Sequence, residues 1–193
     1  MIVENSKVNP SEFTNWALPM DVLQWLEGFI IEKNIKSIVE CGSGLSTIFL
    51  GEMQQKGVIE RSLTLEDNQD WYDYTCRKLL EKNLADYTEV KLTPRKQQAC
   101  NKILVSWYNI SGIEPFDADL IIVDGPPSRS AMLARHPAPH LLKNFIKPGT
   151  YLVIDDYFRS EESKTVEMWL EELPITLIEI LGIGKGLALL QYL

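Results

Sequence analysis

The chain predicts an α/β fold: a doubly wound, mostly parallel sheet of seven strands that ends in an antiparallel C-terminal hairpin. Three observations carry this reading. Short apolar runs alternate with segments of helical spacing along the chain. The run Ile38-Val39-Glu40 breaks into Cys41-Gly42-Ser43-Gly44 and then Leu45-Ser46-Thr47, the order of a strand, a tight turn and a helix start. The last two apolar runs are joined by Gly182-Ile183-Gly184-Lys185-Gly186, too short for a crossover, so that pair is antiparallel.

Taken in order, Pro19 to Lys33 carries Val22, Leu23, Leu26, Phe29 and Ile30 at helical spacing. Ile35 to Glu40 is a short strand. Leu45 to Lys56 is a helix closed by Gly57. Arg61 to Glu66 is a strand that again ends in an acid. Asp70 to Asn83 is a helix with Asp67 or Asn68 as its cap. Thr88 to Thr93 is the third strand, stopped by Pro94. Residues 95–117 follow no clean period, and Ile103 to Tyr108 is expected to form part of a helix. Ala118 to Asp124 is the cleanest buried strand, and Gly125-Pro126-Pro127 forces a loop after it. A helix is expected over Ala138 to Lys147, delayed by Pro137 and Pro139 and ended by Pro148-Gly149. Tyr151 to Ile154 is the fifth strand, followed by Asp155-Asp156. Ser160 to Glu172 is a helix whose first turn holds Glu161 and Glu162, on the favourable side of its dipole. Ile175 to Leu181 and Leu187 to Tyr192 form the hairpin.

In such sheets a ligand sits beyond the carboxyl ends of the strands. Those ends carry Glu40, Glu66, Asp124 and Asp155-Asp156. Gly42 and Gly44 let the backbone approach a ligand closely. A carboxylate just before that turn suits a ligand with a positive or hydroxyl-rich part.

At 193 residues the chain reads as one domain with a substantial core. Apolar content of 45% and charged content of 24% are ordinary for a globular protein. A net charge of −8 and no Lys/Arg-rich run argue against a nucleic acid partner. Met1 to Pro10 has no apolar core, so it does not read as a signal peptide, and no apolar run reaches membrane-spanning length. Cys41, Cys76 and Cys100 are too scattered for a disulfide framework or a zinc site, which makes a reduced, cytoplasmic setting the expectation.

With these motifs in order, the chain resembles the class I S-adenosylmethionine-dependent methyltransferases over about residues 35–193. The resemblance implies a Rossmann-like methyltransferase fold. It divides the single domain 1–193 into an N-terminal helical or lid segment, 1–34, and a cofactor-binding core, 35–193. It further implies that Glu40, Gly42, Ser43, Gly44, Ser46 and Thr47 hold the methionine end of the cofactor. Glu66 would bind both ribose hydroxyls, since a carboxylate accepts two hydrogen bonds from a vicinal diol. Asp67 and Asn68 fall where adenine is read, with Trp71 packed near it. Asp119-Leu-Ile-Ile-Val-Asp124 resembles the fourth motif, and Asp124 would line the same pocket. A narrower similarity is to small bacterial methyltransferases reading Asp-Gly-Pro-Pro, Arg-x-Pro and Asp-Asp-x-x-Arg-x-x-Glu. Here these are Asp124 to Pro127, Arg135 to Pro137 and Asp155 to Glu162.

The implied reaction is methyl transfer to a small-molecule acceptor, with an oxygen nucleophile favoured and Mg2+ as an optional second cofactor. In catechol-type relatives the acids after strands four and five bind Mg2+. Asp124 and Asp155 match those positions, and Asp156 stands where Asn is usual. The relatives' catalytic Lys is Pro127 here, which leaves the base open among Asp124, Asp155 and His136. The alternative without a metal has Asp124 lining the pocket and Asp155-Asp156 hydrogen-bonding the following turn. His136 and His140 have a metal-pair interval, but Pro137 and Pro139 disrupt the helix such a pair needs. They are expected as a loop histidine and a helix-start histidine. Arg129, Arg135 and Arg159 read first as surface arginines, with binding of an anionic substrate group as the other option. Cys41 reads as a small apolar filler, and Trp16, Trp25, Trp107 and Trp169 as core or lid packing.

A non-catalytic S-adenosylmethionine-binding protein of assembly or regulation is the second function class. A NAD-dependent oxidoreductase is the third, weakened because its Gly-x-Gly-x-x-Gly needs a glycine where Thr47 stands. Expected partners are the acceptor, no nucleic acid, no membrane, and a second copy of the chain if it self-associates. The acceptor-binding parts are placed in 1–20, 95–117 and the loop after Asp124.

Overall fold

The computed structural model describes residues 18–101, 103–127 and 131–193. Trp16, Arg129 and most of the expected acceptor segment 1–20 lie outside the described residues. The elements are α1 (Met20–Glu32), β1 (Ser37–Cys41), α2 (Leu45–Gln55), β2 (Arg61–Glu66), α3 (Gln69–Glu81) and β3 (Glu89–Leu92). They continue with β4 (Arg95–Cys100), β5 (Ile103–Tyr108), β6 (Leu120–Val123), α4 (Ala138–Leu141), a 3-10 turn (Lys143–Phe145), β7 (Tyr151–Ile154), α5 (Ser160–Glu172), β8 (Ile175–Leu181) and β9 (Leu187–Tyr192).

Seven strands form one sheet in the order β3-β2-β1-β6-β7-β9-β8. β1, β2, β3, β6 and β7 pair in parallel, and β9 runs antiparallel to both β7 and β8. This is the sheet the sequence predicts, with β9 as its reversed strand.

Each central strand is apolar because both its faces are covered. The period of two divides them between two cores. Ile38, Leu120, Ile122 and Val153 face α1 and α2, packing with Leu26, Ile30 and Leu50. Val39, Ile121, Val123, Leu152 and Ile154 face the other way, toward Trp107, Phe145 and Trp169. Trp107 and Trp169 are fully buried, and Trp25 stacks on Phe29 at 5.0 Å, so these three indoles are packing residues. α1 buries Val22, Leu23, Leu26, Phe29 and Ile30, the residues its spacing selects. Among the described residues, no helix is long and apolar enough to cross a membrane.

Two elements differ from the sequence expectation. Ile103–Tyr108 is a strand, paired antiparallel with β4 in the register Arg95↔Tyr108 to Cys100↔Ile103. An apolar run of six residues has no period long enough to separate helix from strand. The signal that could have decided it is Asn101, which takes φ 42° in the turn between β4 and β5, as hairpin turns demand. The helix expected over 138–147 stops after one turn and continues as the 3-10 turn. That tighter winding buries Phe145 edge-on against Phe116, centroids 5.4 Å apart, so packing overrides propensity.

Candidate functional site

The chain runs outward from β1 to β2 and β3, then crosses back to β6 and β7, so the sheet reverses direction between β1 and β6. A crevice opens at the carboxyl ends of strands flanking such a point. Gly42, with φ 92°, turns the chain there, and its amide donates to the Leu65 carbonyl at 2.9 Å. Gly125 packs against it: a Cβ on Gly125 would meet the Tyr108 hydroxyl and come within 3.0 Å of the Gly42 Cα. The loops after β1 and β6 therefore touch backbone to backbone, which only glycine at 125 permits.

On the β1 side, Glu40 is fully buried. Its Oε2 accepts hydrogen bonds from the hydroxyls of Thr47 and Thr64, each at 2.7 Å. Thr47 Oγ1 also receives the Gly44 amide at 3.0 Å, which ties the start of α2 to the turn. Glu40 Oε1 is buried without a partner. Burial pushes the Glu40 carboxyl up to about 7, opposed by the Ser46, Thr64 and Thr47 hydroxyls. Ser46 is buried beside it.

At the end of β2, Glu66 Oε2 accepts from the Ser43 amide at 2.8 Å and the Ser43 hydroxyl at 2.6 Å, while Oε1 accepts from the Asn68 amide at 2.9 Å. Burial raises this carboxyl, and those donors hold it back. Ser43 Oγ lies 3.1 Å from Thr75 Oγ1. Asn68 caps α3 by accepting from the Trp71 amide at 3.0 Å. Asp67 pairs with Arg95 Nε at 2.7 Å, which fixes β4 beside this corner. Trp71 packs edge-on to Tyr74, centroids 6.4 Å apart. The expected residues from Glu40 to Trp71 thus form one connected patch.

On the β6 and β7 side, the carboxylates of Asp124, Asp155 and Asp156 converge, with ligand-competent oxygens within 4.8 Å of one another. They already hold a cation. Arg135 is only 3% exposed. Its Nη2 lies 3.0 Å from Asp124 Oδ1 and 3.1 Å from Asp156 Oδ2, and its Nη1 donates to the Asp155 carbonyl at 2.7 Å. Glu162 approaches its Nε at 3.9 Å. Arg159 reaches Asp156 Oδ2 at 2.8 Å, and Lys185 reaches Asp156 Oδ1 at 3.8 Å. The surface expectation for Arg135 is corrected: a positive φ at Leu133 turns this loop inward and buries the guanidinium. Burial alone would lower its pKa, but Asp124, Asp156 and Glu162 outweigh this and raise it. Asp155 Oδ1 is buried without a hydrogen bond, and burial, with Asp124 and Asp156 beside it, pushes this carboxyl up to about 7. Asp124 is likewise raised by burial, against the pull of Arg135. Asp156 adopts φ 59°, a left-handed turn that aspartate tolerates.

His136 does not join these acids. Its Nε2 lies 2.9 Å from Glu172 Oε2, and His140 Nε2 lies 2.9 Å from the same oxygen. His136 lies in the turn before α4 and His140 within its single turn, the loop and helix-start positions expected, but the two prolines do not keep the rings apart. The chain coils from Arg135 to Leu142, with Ala138 N bonded to Arg135 O and Leu141 N to Pro137 O. Pro137 and Pro139 fall at the N-cap and in the first turn, where their missing N–H groups leave no bond unmade. The imidazoles therefore lie one turn apart, centroids 4.9 Å apart.

Sequence reasoning missed Thr64, Thr75 and Tyr108 and gave Glu162, quoted as the end of a motif, no role of its own. Tyr108 is fully buried, its hydroxyl without a partner against Gly125, and burial raises its pKa well above 10. Nothing local marks Thr64, whose role arises only from strand pairing; Glu162 closes the Asp-Asp-x-x-Arg-x-x-Glu run and gains its role from the burial of Arg135.

No family model matches the chain, and no curated protein matches it by sequence. Solved structures match its fold. A methyltransferase from Podospora anserina, PaMTH1, with S-adenosylhomocysteine bound superposes with a TM-score of 0.69 at 15% identity, covering 96% of this chain and 82% of that one. An O-methyltransferase from Bacillus cereus in complex with S-adenosylhomocysteine gives 0.66 at 14% identity, covering 97% and 93%. A Staphylococcus aureus protein described as a "putative caffeoyl-CoA O-methyltransferase" gives 0.66 at 15% identity, covering 91% and 85%. At these identities the likeness is one of architecture: the chain has the Rossmann-like fold of the methyltransferases.

Proposed function

We propose that this chain transfers a methyl group from S-adenosylmethionine to the oxygen of a small-molecule acceptor, without a metal. The observation that carries the reading is the buried, unpartnered Glu40 Oε1 beside the Gly42 turn. A carboxylate held out of water with one empty oxygen calls for a cationic ligand. The amino group of a methionine moiety is such a ligand. Glu66, at the neighbouring strand end, would take the ribose diol, with its Ser43 hydroxyl bond exchanged for a ribose hydroxyl. Asn68, Asp67 and Trp71 would border the adenine. The reversed β9 and Thr47 in place of a third glycine favour this ligand over NAD.

S-adenosylmethionine supplies an electrophilic sulfonium methyl when bound. The chain must then align an acceptor oxygen and remove its proton. Asp155 suits the second task, with a carboxyl pushed up to about 7 and a free oxygen. His136 is committed to Glu172. Asp124, Asp155 and Asp156 do not fit Mg2+ as they stand, because Arg135 Nη2 already lies between Asp124 and Asp156. Mg2+ needs near-octahedral oxygen ligation at about 2.0–2.1 Å, and a buried guanidinium in its place repels it. Asp124 serves instead to hold Arg135 at the pocket wall.

Calorimetry with the purified chain tests the reading. Adenosylhomocysteine and S-adenosylmethionine are expected to bind one per chain, and NAD is expected not to. Binding of NAD alone would overturn it. Incubation with phenolic and hydroxy-acid acceptors is expected to release adenosylhomocysteine at a rate unchanged by EDTA. Binding without turnover across such acceptors would favour the regulatory reading.

A further inference from the structure

One residue beyond Arg135, a second polar cluster forms that the proposed reaction does not use. His136, His140 and Glu172 bring their metal-competent atoms within 4.8 Å of one another. We propose that they form a binding site for a zinc-class divalent metal, with three protein ligands and one position left to water. The ligands are His136 Nε2, His140 Nε2 and Glu172 Oε2.

Three features support the site. The donor set comes first: two imidazoles and one carboxylate suit Zn2+ rather than Mg2+ or Ca2+, which prefer oxygen alone. The geometry comes second. Bonds of about 2.0–2.1 Å in a tetrahedral site set neighbouring ligand atoms roughly 3.3 Å apart. Both histidine nitrogens lie 2.9 Å from Glu172 Oε2, so a small side-chain rotation opens the triangle enough to admit an ion. The third feature is an unmet need. His140 Nε2 is buried and close to Glu172, yet makes no well-aligned hydrogen bond. One carboxylate oxygen faces two ring nitrogens and serves only one of them well. A metal would satisfy all three atoms at once.

The surroundings are those of a held site. Trp169 Nε1 donates to the His136 carbonyl at 2.8 Å. Trp169 and Glu172 are three residues apart on α5, so one helix face fixes both the backbone of one ligand and the side chain of another. Asn101, in the turn between β4 and β5, hydrogen-bonds the Glu172 carboxylate. His136 directly follows Arg135, whose guanidinium is seated among the acids. A metal here would pin to α5 the loop that carries that guanidinium.

The test uses the full chain, free of any histidine tag, stripped with chelator and dialysed. Titration with zinc chloride is expected to show one ion per chain and a raised melting temperature. Cobalt(II) in its place is expected to give the visible bands of four-coordinate nitrogen and oxygen ligation, without a thiolate charge-transfer band. His140→Asn and Glu172→Gln should each weaken zinc binding by more than the roughly 10–100-fold that losing an outer partner costs. Circular dichroism without metal checks that both variants fold. Asp155→Asn and Cys100→Ser should bind zinc as the parent does. Absence of one bound ion per chain would overturn the proposal. So would unchanged affinity in both ligand variants, or a cobalt–thiolate band that Cys100→Ser abolishes.

Discussion

Glu40 and Asp155 close strands on either side of β6, and burial pushes both carboxyls up to about 7. Their surroundings differ. Glu40 has hydroxyls around it, from Thr47, Thr64 and Ser46, and no ion pair among the described residues. Asp155 sits in a cluster of acids already threaded by Arg135 and edged by Arg159 and Lys185. Glu40 thus lacks a positive charge that a ligand would bring, while Arg95 at the β2 corner is already paired with Asp67. The β6–β7 half of the crevice carries its own cation. A buried carboxylate near the carboxyl end of a strand is a vacancy for ligand charge on one side and part of an internal ion network on the other.

The largest effect expected from breaking this contrast is at Arg135. Arg135→Met leaves Asp124, Asp156 and Glu162 without their shared cation. Removing one partner of a buried ion network costs about 3–5 kcal/mol. Urea unfolding near neutral pH should show that loss. The loss should shrink in acid, for a definite reason. Burial already raises the Asp124 carboxyl against the pull of Arg135, so losing the guanidinium raises it further above its unfolded value. The folded state then gains from protonation at low pH and loses that gain as pH rises. Equal stability of variant and parent near neutrality would show that the β6–β7 acids do not depend on Arg135. The same variant is expected to gain weak Mg2+ binding, since it vacates the place between Asp124 and Asp156.

Arg135 also marks where sequence reading stopped. The acids at the strand ends were legible, because a strand covered on both faces is a continuous apolar run and its end is visible as the first charge. β1, β2, β6 and β7 and their terminal acids follow from that alone. The partner of those acids was not legible. Arg135 comes inward through a loop in which Leu133 takes φ 53°, a conformation leucine does not advertise. The β5 strand failed for the opposite reason: Ile103 to Tyr108 is apolar enough for either period, and only its pairing with the polar β4 decides. Pro137 and Pro139 read as breaking the helix that a His136 and His140 pair needs. The prolines sit in the one part of a helix that tolerates them.

Glu40→Gln gives the next largest effect and sharpens the contrast, because stability and binding should move in opposite directions. The parent carboxyl is raised from 4.5 to about 7 in the folded state. A raised carboxyl favours the folded state below its unfolded pKa, and that benefit is lost as pH rises through about 7. Above this the ionised, buried group weighs against the ligand-free fold. The uncharged variant escapes that cost, so it should be more stable than the parent by about 1–3 kcal/mol at about pH 8 and lose this advantage near pH 5. Its affinity for S-adenosylmethionine should fall roughly 10–100-fold, as expected when a bond to a charged group is removed. Thermal melts at the two pH values and calorimetry at one measure both changes. A variant less stable than the parent at the higher pH would remove the argument that Glu40 waits for a ligand cation.

Ser43→Ala is the smallest and the most discriminating change. The Ser43 hydroxyl donates to Glu66 Oε2 at 2.6 Å, and the Ser43 and Asn68 amides bond the same carboxylate. Losing the hydroxyl leaves Glu66 held by two amides, so the ligand-free protein should lose only about 0.5–1.5 kcal/mol, the net worth of one hydrogen bond. The effect on binding depends on what Glu66 is for. If it receives a ribose diol, the hydroxyl competes for Oε2 in the ligand-free state, and the alanine variant should bind adenosylhomocysteine as tightly as the parent or several-fold more tightly. If Glu66 only braces the Gly42 turn, removing a brace should weaken binding in step with stability. Parallel measurement of unfolding free energy and adenosylhomocysteine affinity separates the two. A matched loss in both would assign Glu66 to the turn and leave the ribose without its acceptor on β2.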